Sequence, residues 1–262
     1  MEKKNPFNLV SSKKSRFILP NVLTIIGVCL GISSIKFALD ENYSLAVTFI
    51  VFASILDALD GRIARLIKGT TEFGKELDSL TDFVSFGIAP AFILYFWELK
   101  NYGKIGWALT LIFSVCCVLR LARFNLSKTS DNVEWKLNYF EGVPSPAGAG
   151  LVLLPLIYEL SEFKFSIDIK SITPFLVLIV ALLLISKIPT FSLKKIKVSS
   201  KLSIFLLFGI VIIFISLIFF TFESLLIIGG AYLLTIPLSY YSYKKTSQKI
   251  SSQQEEDHED IL

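Results

Sequence analysis

Histidine is almost missing from this sequence. Its one imidazole, His258, lies in a polar, acid-rich stretch near the end of the 262 residues, which excludes histidine catalysis from the apolar body of the chain. Cysteine is nearly as scarce. Cys29, Cys116 and Cys117 all fall in apolar runs with no C-x-x-C spacing, so they read as small core residues and not as a zinc site or a disulfide framework. Charge is short too: 18% of residues are charged, against about 25% in an ordinary soluble domain. A net charge of +4 is too small to point to nucleic acid, and none is expected as a partner. What remains is hydrocarbon. Hydrophobic residues make up 53% of the chain and come in long blocks, which makes lipid the solvent.

Eight apolar segments of spanning or near-spanning length run through the chain, roughly 17–39, 44–67, 82–98, 104–124, 145–160, 171–188, 202–220 and 223–241; a helix needs about 20 residues to cross the hydrocarbon core. The fifth is short and opens on Pro144-Ser145-Pro146, which predicts an irregular N-terminal end. Of the 26 lysines and arginines, 21 fall on one side of an eight-span arrangement (the N-terminus, 61–81, 120–141, 187–201 and the C-terminal tail) and only Lys36, Lys100, Lys104, Lys164 and Lys170 on the other. Short cytoplasmic loops collect basic residues, so both termini are expected in the cytoplasm. A basic stretch precedes the first apolar run, but no convincing cleavage site follows, and a retained first helix is expected. The chain shows no internal repeat, and the Ser/Gln/Lys/Glu-rich stretch from 243 reads as a polar, unstructured tail.

Against this background the acids stand out, because a central Asp costs a membrane helix about 2.5–3.5 kcal/mol. The second span ends in Asp57-Ala58-Leu59-Asp60-Gly61-Arg62-Ile63-Ala64-Arg65. Two aspartates three apart share a helical face, and Gly61 and Ala64 continue it. The next span opens on Gly74 and carries Asp78 and Asp82, four apart and again on one face. Packing the two helices brings four carboxylates together at one boundary. Carboxylates so close stay ionised only beside cations, and an all-oxygen set without His or Cys suits hard ions such as Mg²⁺, Mn²⁺ or Ca²⁺. Two metals could clamp a phosphate or pyrophosphate, with Arg65 one turn beyond Gly61 placed to reach its oxygens.

The segment 57–82 fits D-x2-D-G-x2-A-R-x8-G-x3-D-x3-D without a departure. It resembles the signature of the CDP-alcohol phosphatidyltransferase family, and eight specified positions over 26 residues make the match specific. The resemblance implies a bundle of membrane helices, a six-helix core plus here two C-terminal helices, that transfers a phosphatidyl group from a CDP-linked lipid to an alcohol and releases CMP. Position by position it implies Asp57, Asp60, Asp78 and Asp82 as ligands of divalent metal, two ions of Mg²⁺ or Mn²⁺, with Asp82 also the general base. It places Gly61, Ala64, Arg65, Thr71 and Gly74 on the CDP portion, and Asn21 and Thr24 of Pro20-Asn21-Val22-Leu23-Thr24 beside the nucleotide. Asn21 and Thr24 have an equal reading as helix caps. A homodimer is also implied.

Four further stretches are similar to the serine-accepting branch of that family: Asp78 to Pro90, Leu119 to Asn125, Phe140 to Ala147 and Ser186 to Phe191. The resemblance runs to about residue 191, so 1–191 reads as the catalytic core, 192–242 as an added helical hairpin and 243–262 as the tail. Serine brings a carboxylate, and Arg120, Arg123 and Ser145 are candidates to hold the acceptor; for the arginines the alternative is a positive-inside anchor. The expected reaction is direct displacement between CDP-diacylglycerol and L-serine in a bacterial plasma membrane, on its cytoplasmic side. Two other readings stay open: another acceptor, such as glycerol phosphate or inositol phosphate, and a cation transporter using intramembrane carboxylates.

Overall fold

The computed structural model describes residues 18–67, 69–127, 139–163, 168–191 and 200–259; the basic cluster at residues 3–16 lies outside them. Helices α1 (Ile18–Leu39) and α2 (Tyr43–Leu66) form a hairpin. Helix α3 (Glu72–Asp82) continues through a π-helical turn (Phe83–Ile88) into α4 (Ala89–Trp97), and a 3-10 turn (Leu99–Tyr102) leads into α5 (Gly103–Ser127). There follow α6 (Ser145–Val152), α7 (Leu154–Leu160), α8 (Ile169–Ile185), α9 (Ser200–Phe219) and α10 (Thr221–Glu259). The strands β1 (Tyr139–Glu141) and β2 (Pro189–Phe191) pair antiparallel, with Phe140 opposite Thr190; they are the one departure from helix-only architecture among the described residues.

The fold is that of an all-α membrane protein. Five described runs, Ile18–Leu39, Tyr43–Leu66, Glu72–Trp97, Leu99–Leu126 and Thr221–Thr246, are long and apolar enough to cross a bilayer, and α8 is a shorter apolar helix. Their outer faces are greasy: Ile25, Phe52, Val115, Ile179 and Leu234 are all exposed, an arrangement that water would penalise and lipid does not. At the end of the bundle away from the aspartates, Phe92, Tyr95, Phe96 and Trp107 stack edge to face, Tyr95 and Trp107 at 5.3 Å. The Tyr43 hydroxyl donates to the Phe96 carbonyl there at 3.1 Å. Such amphipathic rings suit a membrane–water boundary.

Close packing of α1 determines where the acids sit. Its buried positions, Thr24, Gly27, Gly31, Ser34 and Ala38, repeat at helical spacing and are all small, so its backbone approaches its neighbours closely. A Cβ on Gly31 would lie 2.6 Å from Ser85 Oγ and 2.9 Å from Ser85 Cα. Ser85 in turn donates to the Gly27 carbonyl at 3.3 Å. The π turn immediately after Asp82 is therefore locked against α1, and π turns of this kind recur at functional sites. On α2 the buried face runs Ala46, Ile50, Ala53 and Asp60. Asp57 and Asp60 thus extend the stripe that packs into the bundle.

Three expectations change. The fifth apolar segment does enter through irregular residues, 142–144, but it also breaks at Leu153, between α6 and α7, because Pro155 has no N–H for the carbonyl of Leu151. The stretch from 243 is not irregular: α10 continues to Glu259, in keeping with the good helix propensity of Lys, Gln and Glu. Cys29 is exposed on α1, and only Cys116 and Cys117 are core residues.

Candidate active site

Helices α2 and α3 bring the acids together. Carboxylate oxygens of Asp57, Asp60 and Asp78 lie within 4.8 Å of one another. Asp57 lies within electrostatic reach of Asp78, Asp60 and Asp82. Asp82 Oδ1 is buried and has no hydrogen-bond partner among the described residues. A dense set of hard oxygen donors, one of them buried and unsatisfied, fits a divalent cation: an ionised carboxylate there needs a positive partner. Asp60 is buried and held by α1, whose Thr24 hydroxyl lies 2.6 Å from Asp60 Oδ2. The Pro20 carbonyl is 3.0 Å from the same hydroxyl, but a hydroxyl has one proton and the shorter, charge-assisted bond takes it.

Beside the acids opens a cleft of about 230 Å³. All seven positions that the resemblance places near a CDP-lipid, Asn21, Thr24, Gly61, Ala64, Arg65, Thr71 and Gly74, line it, together with Asp60 and Asp78. Several have local structural work as well. Thr71 is the N-cap of α3, its hydroxyl accepting from the Gly74 N–H at 3.0 Å, which is the standard role of a threonine there. Arg65 is exposed, and its Nε donates to the Gly61 carbonyl at 2.9 Å, leaving its terminal nitrogens toward solvent and the cleft. Asn21 and Thr24 are not caps: both sit inside the first turns of α1 and face the cleft. Sequence reasoning missed Pro20, Gly69, Thr70 and Lys75 in the lining; a lysine between Gly74 and Asp78, one position past the glycine of the signature, was the available signal.

The three acceptor candidates separate. Arg120 is buried, and its Nη1 donates to Ser145 Oγ at 2.5 Å; the guanidinium lies over the Phe124 ring at 5.8 Å and within electrostatic reach of Asp82. Arg123 is engaged elsewhere. Its Nη1 donates to the Ile185 carbonyl at 2.6 Å and its Nη2 to the Ser186 carbonyl at 3.0 Å, so it ties α5 to the C-terminal end of α8, where cations are favoured. The same spot needs Gly142, whose φ of 73° few side chains tolerate, and whose added Cβ would lie 2.8 Å from the Ser186 carbonyl oxygen. Three of the four serine-branch stretches (119–125, 140–147 and 186–191) thus meet at one ribbon, closed by Thr190 donating to the Gly142 carbonyl at 2.8 Å. The fourth is the α3–π turn itself, stitched to α5 by Asn125 donating to Ser79 Oγ at 2.9 Å.

This geometry agrees with comparison to known proteins. The chain belongs to the CDP-alcohol phosphatidyltransferase family, whose model matches residues 17–237. The match therefore runs past residue 191 and well into α10, further than the motif stretches reach. It is similar to the CDP-diacylglycerol–serine O-phosphatidyltransferase of Helicobacter pylori, with 36% identity over 220 residues, 83% of this chain and 89% of that one. It is similar also to the enzymes of that name from Bacillus subtilis, 37% identical over 142 residues (54% and 77%), and Methanocaldococcus jannaschii, 34% identical over 170 residues (65% and 72%).

Proposed function

We propose that this enzyme transfers the phosphatidyl group of CDP-diacylglycerol to the hydroxyl of L-serine, forming phosphatidylserine and releasing CMP. The observation that carries it is the juxtaposition of an aspartate cluster with a cleft lined by every CDP-contact position of the signature; the similarity to serine transferases over most of their length supports the choice of acceptor.

Asp57, Asp60 and Asp78, with Asp82, would hold two divalent ions, Mg²⁺ or Mn²⁺. Metal at such a site supplies charge neutralisation to the pyrophosphate and its leaving group. The residues do the rest. Asn21, Thr24, Gly61, Ala64 and Gly74 let the nucleotide lie against α1, α2 and the start of α3, and Arg65 with Lys75 offers cations to its phosphates. Asp82 receives the serine hydroxyl proton on Oδ1, the oxygen that has no hydrogen-bond partner among the described residues. The freed oxygen attacks the lipid-side phosphorus, the P–O bond to CMP breaks, and CMP departs with the electron pair. Arg120, braced by Ser145, holds the serine carboxylate near Asp82. Arg123 serves instead to lock α5, α8 and the ribbon around it.

The orientation follows from the charge asymmetry of the loops: eight spans, both termini and the aspartate end of the bundle on the cytoplasmic side of a bacterial plasma membrane, acyl chains left in the bilayer. Residues 1–191 then carry all four aspartates and every CDP-contact position, and the resemblance supports a homodimer. The decisive assay is purified protein with CDP-diacylglycerol, Mn²⁺ and a panel of alcohols, reading CMP. Release with L-serine is expected; release with glycerol phosphate but not serine would sink the acceptor assignment.

A further inference from the structure

The mechanism above leaves polar groups around Arg120 unexplained. Arg120 is only 7% exposed. Its Nη1 is engaged by Ser145, but its Nε is buried with no hydrogen-bond partner among the described residues. A second buried and unpartnered polar atom comes from α10: the hydroxyl of Tyr232. That hydroxyl lies beside Thr190 without a well-formed hydrogen bond, and within electrostatic reach of Arg120. Thr190 is already committed, donating to the Gly142 carbonyl.

The unmet capacity is mostly donor capacity. A guanidinium can only donate, and a phenol donates readily. A Tyr232–Arg120 hydrogen bond would satisfy both groups internally, yet the structure does not make one. Leaving a buried donor unpaired costs about 1–3 kcal/mol, so such a pair persists best where a ligand with several acceptor oxygens completes it. The position of α10 is itself tightly set. A Cβ on Gly229, one turn before Tyr232, would lie 2.5 Å from Leu154 Cδ2 of α7. Ile236 and Ser239 on the same side of α10 are buried, so this face of the helix packs into the bundle.

We propose that Tyr232 donates a hydrogen bond to the carboxylate of the acceptor, so that α10 completes a subsite begun by Arg120 and Ser145. The proposal rests on the serine reading. It assigns to the C-terminal hairpin a share in acceptor selection: an alcohol without an anionic group near its hydroxyl gains nothing from Tyr232.

The test uses the full chain, purified, with CDP-diacylglycerol and Mn²⁺, following CMP release while serine is titrated. In Y232F the KM for serine should rise about tenfold or more, as for a lost hydrogen bond to a charged group. The kcat and the KM for CDP-diacylglycerol should stay within about twofold. Calorimetric titration of L-serine onto the CDP-bound protein should show the same factor in Kd. If Y232F loses its fold, judged by thermal unfolding, Tyr232→Met carries the same comparison. A serine KM unchanged in Y232F overturns the proposal, as does a parallel shift of kcat and both KM values, which marks a packing role only. A parent that turns over another alcohol but not serine overturns the acceptor reading itself, and the Tyr232 proposal with it.

Discussion

Gly61 should reveal the site by an opposition between stability and binding. It lies inside α2, where glycine is the costliest residue short of proline, about 0.8–1.0 kcal/mol worse than alanine. Nothing within 4 Å would meet a Cβ added there, so Gly61→Ala carries no packing penalty in the free protein. The substitution should stabilise it by roughly 1 kcal/mol, which for a chain of this size is about 2–4 °C in the melting temperature. But Gly61 lines the cleft between Asp60 and Arg65, and a methyl group there fills space that a nucleotide backed against α2 requires. Displacing a bound ligand by about 1 Å from its reactive geometry can cost on the order of 10²-fold in rate. The expected result is a higher melting temperature in detergent together with a KM for CDP-diacylglycerol at least about tenfold higher. A G61A protein that is stabilised and binds the CDP-lipid as before would refute the placement of the nucleotide against this face. One that is destabilised would refute the claim that the space is open.

Gly31→Ala should behave in the opposite way. Its Cβ would meet the Ser85 backbone at 2.9 Å, so α1 must move off the π turn. A loss of roughly 1–3 kcal/mol is expected, read as a lower melting temperature and reduced CMP release together. Thr24→Val removes the hydroxyl that orients Asp60 while keeping the shape. Loss of such an outer partner weakens metal affinity by roughly 10–100-fold, so the Mn²⁺ concentration giving half-maximal activity should rise by that factor with the melting temperature of the metal-free protein little changed. Asp82→Asn should lower kcat by roughly 10²–10⁴-fold while leaving calorimetric binding of CDP-diacylglycerol measurable; activity within tenfold of the parent would remove Asp82 from the base role.

The parts of the site carried by local spacing were legible without a structure. Asp57 and Asp60 at three apart, and Asp78 and Asp82 at four apart, could only share faces once the helices formed; an apolar run signalled the first helix, and the polar α3 was signalled by leading into the apolar run from 82. Gly61, Ala64, Arg65 and Gly74 followed from the same signature. The break at Leu153 went unread because Pro144 and Pro146 drew attention to the start of the segment, whereas its cause is Pro155, nine residues past Pro146. Arg120 and Arg123, three apart on one helix, had looked equivalent. Only the fold separates them, by laying the carbonyls of Ile185 and Ser186 under one and the hydroxyl of Ser145 under the other.

Composition and periodicity by themselves determined that this chain lives in lipid, that its helices carry aspartates at one end, and that those aspartates form same-face pairs, because hydrophobic runs and helical repeat are properties of neighbouring residues. Tertiary structure alone decided what faces each pair. The small residues of α1 let the π turn pack against it while Thr24 of the same helix reaches Asp60 of α2; Gly142 lets a ribbon from two distant segments close beneath Arg123; and Gly229 seats α10 against α7, with Tyr232 within electrostatic reach of Arg120. Those contacts join residues tens to more than a hundred positions apart, where no local pattern can record them. The four aspartates could be read from the chain, but the walls of the cleft and the surroundings of Arg120 exist only once the helices have packed.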